Sequence, residues 1–478
     1  MPTALIWFRR DLRLDDHPAL QSALRAGYRI VPVYVHAPEE EAPWSPGAAS
    51  LAWLRRSLAA LDTALRGCGS RLIVRAGPSL AMLEQLVDET NAEAVYWSRR
   101  YEPACIARDA TVKHALRARR ILVETHNSAL LCEPWTVATR QGDPYRMFTP
   151  FWRNASAHLD VQNLKAAPEC LPSVDGSIVS ADMNALIPAP TPTWDMEFWA
   201  HWQPGEQGAH ARLAQSMHSL LQAYLRQRDR PDVDGTSRLS PHLHFGEISP
   251  RRIMQTLQSA SNDAYSTANS DGYVRELGWR EFSHHLLYHF PHTTEANLNA
   301  RFNGFGWADA EPALLAAWQQ GRTGIPMVDA GMRQLWRTGW MHNRVRMVVA
   351  SFLTKNLRMH WLRGARWFWD TLLDADLASN TQGWQWSAGT GADAAPYFRV
   401  FNPVSQTLKF DPDGSYVRRW VQELQSLPAH ALLEPWKHPE LLARCAPDYP
   451  RSPIVDLKLS RAAALAAYAS SKPDMFQR

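Results

Sequence analysis

The sequence predicts an α/β N-terminal domain carrying a five-stranded, Rossmann-like parallel sheet. A long linker follows, and then an all-helical C-terminal domain. Three observations predict this. Residues 1–130 alternate short β-branched or aromatic runs with amphipathic stretches, the pattern of strand–helix–strand units. Periodicity fades across 131–205, where proline, serine and short polar runs take over. From 206 to 478 apolar residues recur at helical spacing, and strand-like alternation is scarce.

In order along the chain, TALIWF, RIVPVYVH, SRLIVRA, AEAVYWS and RILVETH read as buried strands. Between them HPALQSALRAG reads as a helix closed by a C-cap glycine, and SLAWLRRSLAALDTALRG has apolar residues at i, i+3 and i+4. No GxGxxG follows the first strand, so the sheet lacks the dinucleotide fingerprint. The stretch PSVDGSIVSADMNALIPAPTPTWD marks the connector. Helices are then predicted at HARLAQSMHSLLQAYLRQ, SPRRIMQTLQSAS, YVRELGWREFSHHLLYHF, ALLAAWQQG, IPMVDAGMRQLWRTG and HNRVRMVVASFLTKNLRMHW.

Bulk properties narrow the class. The chain has 478 residues, 21% charged and 45% hydrophobic, with a net charge of +4, which points to no particular partner. Basicity is local instead: between Asp329 and Asp370 there is no acid but eight arginines and lysines, a solvated helix face or a phosphate-binding patch. The five cysteines form no CxxC, which argues for a reducing compartment and against a zinc-thiolate site. No signal peptide or membrane-spanning run is recognisable, so the expectation is a cytoplasmic protein without a membrane partner.

Several clusters could carry chemistry. On YVRELGWREF, Glu276, Trp279 and Arg280 share one helix face, either as a binding stripe or as a salt bridge beside a packing indole. On TGWMHNRVRM, Asn343 aligns with Arg346 and Met347. DGTSRLSPHLHFGEISP sets Thr236, Ser237, Arg238 and Ser240 before a helix-starting proline, suited to a diphosphate or to a simple N-cap turn. His285 and His289 have the i, i+4 spacing of metal ligands, but there is no HExxH and no third ligand, so no metal site is expected. No GxSxG or Walker loop is present, which disfavours nucleophilic hydrolysis and nucleotide-triphosphate chemistry.

WFRRDLRLDDHPAL, DGTSRLSPHLHFGEISP, ELGWREF, TGIPMVDAGMRQLWRTGWMHNRVRM, DADLASNTQGWQW and TGADAAPYFRVFNP occur in an order and spacing that resemble the photolyase/cryptochrome flavoproteins over nearly the whole chain. The resemblance implies that the helical domain binds FAD, active as FADH⁻. It assigns the flavin pocket to Tyr224, Thr236, Ser237, Arg238, Leu239, Ser240, Arg280, Trp340, Asn343, Arg346, Asp374, Asp376 and Asn380. It implies an electron-transfer chain of Trp384, Trp361 and Trp307, and substrate contacts from Trp279, Trp386 and Gln406. Arg228 and Arg344, with help from Arg399, would hold DNA phosphates.

Within the family, enzymes for (6-4) lesions resemble this chain but carry histidines at the positions of Asn343 and Met347. Plant cryptochromes typically carry acids at the positions of Asn343 and Asn380. The implied activity is therefore light-driven repair of cyclobutane pyrimidine dimers in ultraviolet-damaged DNA by a monomer, with Glu276, Asn343 and Met347 at the lesion. The alternative is a cryptochrome-like photoreceptor that does not repair. YEPACIARD puts Cys105 where folate-binding members often have an acid. A second antenna chromophore is thus a folate such as 5,10-methenyltetrahydrofolate held elsewhere in the interdomain cleft, a deazaflavin, or absent, and the folate is the expectation.

Overall fold

A computed structural model describes residues 1–159, 161–172, 177–190, 193–261, 263–309, 311–393 and 398–471. Parts of the connector and residues 394–397 of TGADAAPYFRVFNP lie outside the described residues. The chain forms two compact units. The first comprises residues 1–222, 237–291 and 373–377; the second comprises 223–236, 292–372 and 378–478.

The first unit contains the predicted sheet. Its strands are β1 (Thr3–Phe8), β2 (Arg29–His36), β3 (Ile73–Ala76), β4 (Ala92–Ser98) and β5 (Leu122–His126). All pairings are parallel, in the order β3-β2-β1-β4-β5. Every residue of β1 is buried, as expected of the central strand of a sheet covered on both faces. Pro32 lies within β2, opposite Ile6 of β1. Pairing with β3 starts only at Val33, so the missing N–H breaks no ladder on that side. Leu5, Trp7, Val33, Ile73, Val95 and Trp97 meet Leu83 and Leu86 of the helix Ser79–Thr90 in one core. Because the chain runs outward from β1 on one side and returns to its other side at β4, strand order reverses beside β1. Such a reversal leaves a crevice at the carboxyl ends of the strands.

The connector is more structured than its composition implies. Phe148–Ser156 forms a helix with Phe148, Phe151 and Ala155 buried. The first unit also contains the helices Glu206–Gln222, Ser240–His244, Pro250–Ala260 and Ala264–His289.

Among the described residues the second unit has no strand. Its helix Pro326–Thr338 ends at Gly339, whose φ of +65° is the left-handed conformation that closes a helix at little cost. The next helix, Asn343–Ser351, packs so closely that a Cβ on Gly331 would lie 2.5 Å from Val345 Cγ1. The helices Trp361–Thr371 and Leu377–Ala388 follow. A buried carboxylate supports this arrangement. Asp329 accepts from the Thr323 and Gly324 N–H groups, the Thr323 hydroxyl and, at 2.6 Å, the Tyr449 hydroxyl. Among the described residues no helix is long and apolar enough to cross a membrane.

Candidate functional site

In the first unit the diphosphate candidate is a turn held from several directions. The Ser237 hydroxyl lies 2.8 Å from the Tyr273 hydroxyl and accepts the Leu239 N–H at 3.2 Å, while Arg212 Nε donates to the Ser237 carbonyl at 2.7 Å. Arg238 adopts φ +52°, which reverses the chain before Ser240 opens its helix; Leu239 is fully buried. A turn of hydroxyls with an arginine suits an anionic group, so the residues present fit a dinucleotide phosphate.

The predicted stripe of Glu276, Trp279 and Arg280 lies within the helix Ala264–His289. All three are half-buried. Arg280 Nη1 donates to the Ala129 carbonyl at 2.6 Å, and the Trp279 indole stacks on Phe148. One turn beyond Arg280 lies His284, a residue that periodicity alone did not mark as functional. Its Nδ1 lies 3.0 Å from the Arg280 carbonyl and its Nε2 lies 3.4 Å from Asp376 Oδ2. With Nδ1 donating to the carbonyl, Nε2 faces the carboxylate as the second donor of an imidazolium. Burial works against charge on both partners, yet the pair wins. Asp376 is held well below the usual carboxylate range by His284, with Arg280 assisting. Asp376 in turn raises His284 above the usual imidazole value.

His284 and Asp376 line a cleft of about 30 Å³ together with Arg10, Arg100, Glu102, His244 and Arg280. His244 Nε2 and Arg10 Nη1 are buried there without a hydrogen-bond partner. Burial, then the charge of Arg10, drives His244 well below 6.5, so it stands neutral with one nitrogen unspent. Orphaned polar atoms of this kind mark where a ligand's polar edge fits.

The second unit holds the remaining candidates apart from Asp374. Asn343 opens its helix and is exposed; Arg344 Nη2 pairs with Asp229 at 2.7 Å, and Nη1 lies 3.6 Å from Met347 Sδ. Arg346 Nε donates to the Met341 carbonyl at 2.8 Å, and its guanidinium lies 6.0 Å from the Trp340 ring. Arg228 lies 5.3 Å from the ring of buried Tyr224. Thr236 and Gln406 are half-buried, and Arg399 is exposed. Asn380 is buried with its amide donating to the Ala365 carbonyl at 3.0 Å, which leaves its side-chain oxygen as an acceptor. Trp386 Nε1 donates to the Asp393 carbonyl at 3.2 Å. Asp374 is buried in the first unit, and its carbonyl accepts the Asp376 N–H at 2.7 Å.

The three predicted relay indoles differ in setting. Trp384 is buried, with Phe368 edge-on at 5.0 Å. Trp361 is buried and donates to Asn297 Oδ1 at 2.9 Å. Trp307 is half-buried. The His360 ring links two of them, 5.6 Å from Trp361 and 5.1 Å from Trp307, a connection that the sequence did not disclose.

Two other clusters have structural explanations. His285 accepts the Tyr145 N–H through Nε2 and faces the Pro134 carbonyl through Nδ1, so both its nitrogens are spent on backbone. Asp15, Glu206 and His210 lie close enough to share an ion. However, Arg252 takes both Asp15 oxygens, and Glu206 accepts the Leu14 and Asp15 N–H groups.

Comparison with known proteins bears on the family and the fold. Residues 4–172 match the model for DNA photolyase, and residues 273–470 match that for the FAD binding domain of DNA photolyase. The chain is 43% identical to a deoxyribodipyrimidine photo-lyase of Agrobacterium fabrum, over 98% of each chain. It is 39% identical to cryptochrome-1 of Arabidopsis thaliana, over 96% of this chain and 69% of the cryptochrome. A crystal structure of a bacterial class III photolyase from Agrobacterium tumefaciens superposes with a TM-score of 0.93 at 42% identity, covering 98% of both chains.

Proposed function

The chain belongs to the DNA photolyase family, and from that premise we propose that it is a deoxyribodipyrimidine photo-lyase that repairs cyclobutane pyrimidine dimers in DNA under blue light. The observation that carries this reading is the match to a photo-lyase at 43% identity along 98% of both chains. Asn343 and Met347, one turn apart at the start of one helix, support the choice of lesion.

FAD, bound in reduced form and excited by light, would lend the dimer one electron and recover it once both cyclobutane bonds have opened, so repair consumes no reductant. The chain's own residues bind and orient. Arg228 and Arg344 hold phosphates beside the lesion, a role that also fixes register on the duplex. Photolyases as a class flip their target out of the helix, and a dimer is poorly stacked, so extrusion costs less there. Trp279 and Trp386 pack on the extruded pyrimidines, and Met347 and Gln406 fill the space around them. Glu276 and Asn343 hydrogen-bond carbonyl and imide groups, on which negative charge grows during the reaction. Asp376, paired with His284, and Asn380 would help to hold the cofactor. Trp384, Trp361 and Trp307 would carry electrons inward only when the cofactor starts out oxidised, outside the repair cycle itself.

We also propose an antenna of the 5,10-methenyltetrahydrofolate class. Cys105 is buried and its thiol is pushed up to about 12, chiefly by burial, so it offers no anion to a pterin. A second cleft, beside Cys105, supports a site that does without that anion. It is lined by Trp7, Tyr34, Arg10, Glu41, Arg100 and Arg108 around the carboxyl ends of β1, β2 and β4, and Trp7 Nε1 is buried there without a partner.

The test is direct. Purified protein is expected to be pigmented by flavin, to release a folate on denaturation, and to restore ultraviolet-irradiated oligothymidylate under blue light. Pigmented protein that leaves the dimers intact would establish the photoreceptor alternative instead.

A further inference from the structure

The connector helix Phe148–Ser156 carries aromatic residues at i and i+4, Phe148 and Trp152, which therefore share a face. That face lies on the helix Ala264–His289. A Cβ on Gly278 would fall 2.6 Å from Trp152 Cε3, so the Trp152 ring rests where only glycine leaves room. The same docking sets Phe148 against Trp279, with ring centroids 3.7 Å apart and planes within 8° of parallel. Phe148 is only 1% exposed. It is further enclosed by Phe282 at 6.0 Å, Trp152 at 6.4 Å and the Arg275 guanidinium at 5.0 Å.

We infer that Phe148 is a positioning residue for substrate binding: by covering one face of the Trp279 indole it fixes that ring, so that a flipped pyrimidine stacks on the opposite face. The inference rests on the reading of Trp279 as a lesion contact. Its physical content is preorganisation. An indole already held flat against a buried phenyl ring has little rotamer freedom left to lose when a base arrives, and it presents one face in one orientation. The gain appears as affinity for the damaged base, while binding to undamaged backbone, which rests on arginines, is untouched.

The experiment measures dark binding of flavin-loaded protein to an oligonucleotide with one thymine dimer, beside the undamaged oligonucleotide. An aromatic pair contributes about 0.5–1.5 kcal/mol, so Phe148→Leu is expected to weaken dimer binding by about twofold to tenfold. Flavin content and undamaged-DNA affinity stay at parental levels. In a Trp279→Ala background the same change should add nothing, because Phe148 acts through the indole. Phe148→Met, of similar volume to leucine but unbranched and more adaptable, serves if the leucine variant folds poorly. If Trp279→Ala leaves dimer affinity unchanged, the reading of Trp279 falls and takes this inference with it. If Trp279→Ala weakens binding but Phe148→Leu is silent, additive, or equally harmful to undamaged DNA, only the inference falls.

Discussion

Gly364 offers a test in which local propensity and packing predict opposite signs. It is buried in the helix Trp361–Thr371, where alanine is intrinsically better than glycine by about 1 kcal/mol. A Cβ there would lie 2.0, 2.4 and 2.5 Å from Cη2, Cζ3 and Cζ2 of Trp384. Carbon atoms rest about 3.5–4 Å apart, so the indole has to move by about 1.5–2 Å. Little space receives it, since Trp384 is 2% exposed and faces Phe368 at 5.0 Å and Trp318 at 6.2 Å. Overpacking of this kind costs about 1–3 kcal/mol, which exceeds the helical gain over most of its range. Gly364→Ala is therefore expected to lower the thermal midpoint, by roughly 2–4 °C for each kcal/mol of net loss. Gly383→Ala is the internal control: it also lies mid-helix, but its new Cβ meets nothing within 4 Å, and it should raise the midpoint. The measurement is thermal unfolding of both variants beside the parent, followed by circular dichroism and tryptophan fluorescence. A Gly364→Ala protein as stable as the Gly383→Ala protein would refute the reasoning, because it would mean that the indole yields at no cost.

Three further predictions concern the site. Glu276→Ala should lower the quantum yield of dimer repair while leaving flavin bound; equal yields for variant and parent would remove Glu276 from the lesion. Trp307→Phe should abolish photoreduction of oxidised flavin yet spare repair by chemically reduced protein, and unimpaired photoreduction would take Trp307 out of the relay. The His284–Asp376 pair predicts a pH signature in thermal stability. Asp376 is held below its ordinary 3.8, so its contribution is present above that value and is lost as pH falls through the depressed one. His284 is raised above 6.5, so its contribution is full below 6.5 and is lost as pH climbs through the raised value. The stability gap between parent and His284→Gln should accordingly narrow on the alkaline side, and a gap constant with pH would show that the imidazole carries no charge.

The five strands were legible because burial on both faces demands continuous apolar runs, and three of them match the predicted segments residue for residue: Thr3–Phe8, Arg29–His36 and Ala92–Ser98. The helix Phe148–Ser156 was not. Its buried Phe148, Phe151 and Ala155 follow helical spacing, but the run is only nine residues long and sits among prolines, so the connector reading absorbed it. The consequence was functional, for Phe148 is the ring that backs Trp279. His284 was obscured differently. Its place on the Arg280 face follows from i, i+4 spacing, but the carboxylate it meets, Asp376, is brought to it only by the folded chain.

The run SHHLLYHF shows where sequence reading stops. His284 and His285 are adjacent, equally polar and both buried, and nothing in their order separates them. Helical geometry turns consecutive side chains about 100° apart, so they must face different surroundings, but it does not say which. His285 meets the backbone of Tyr145 and Pro134. Burial, with the nearby His289 second, outweighs those contacts and lowers it to about 4, so the ring stays neutral and serves as a strut. His284, one step along the helix, meets Asp376 and is raised above the usual imidazole value despite similar burial. The direction in which burial and the facing groups together push an imidazole is thus set by the wall it meets. It follows that an i, i+4 histidine pair supports a claim about chemistry only once the opposite wall is known, and that here the ring that was not part of the spaced pair is the one pushed towards charge.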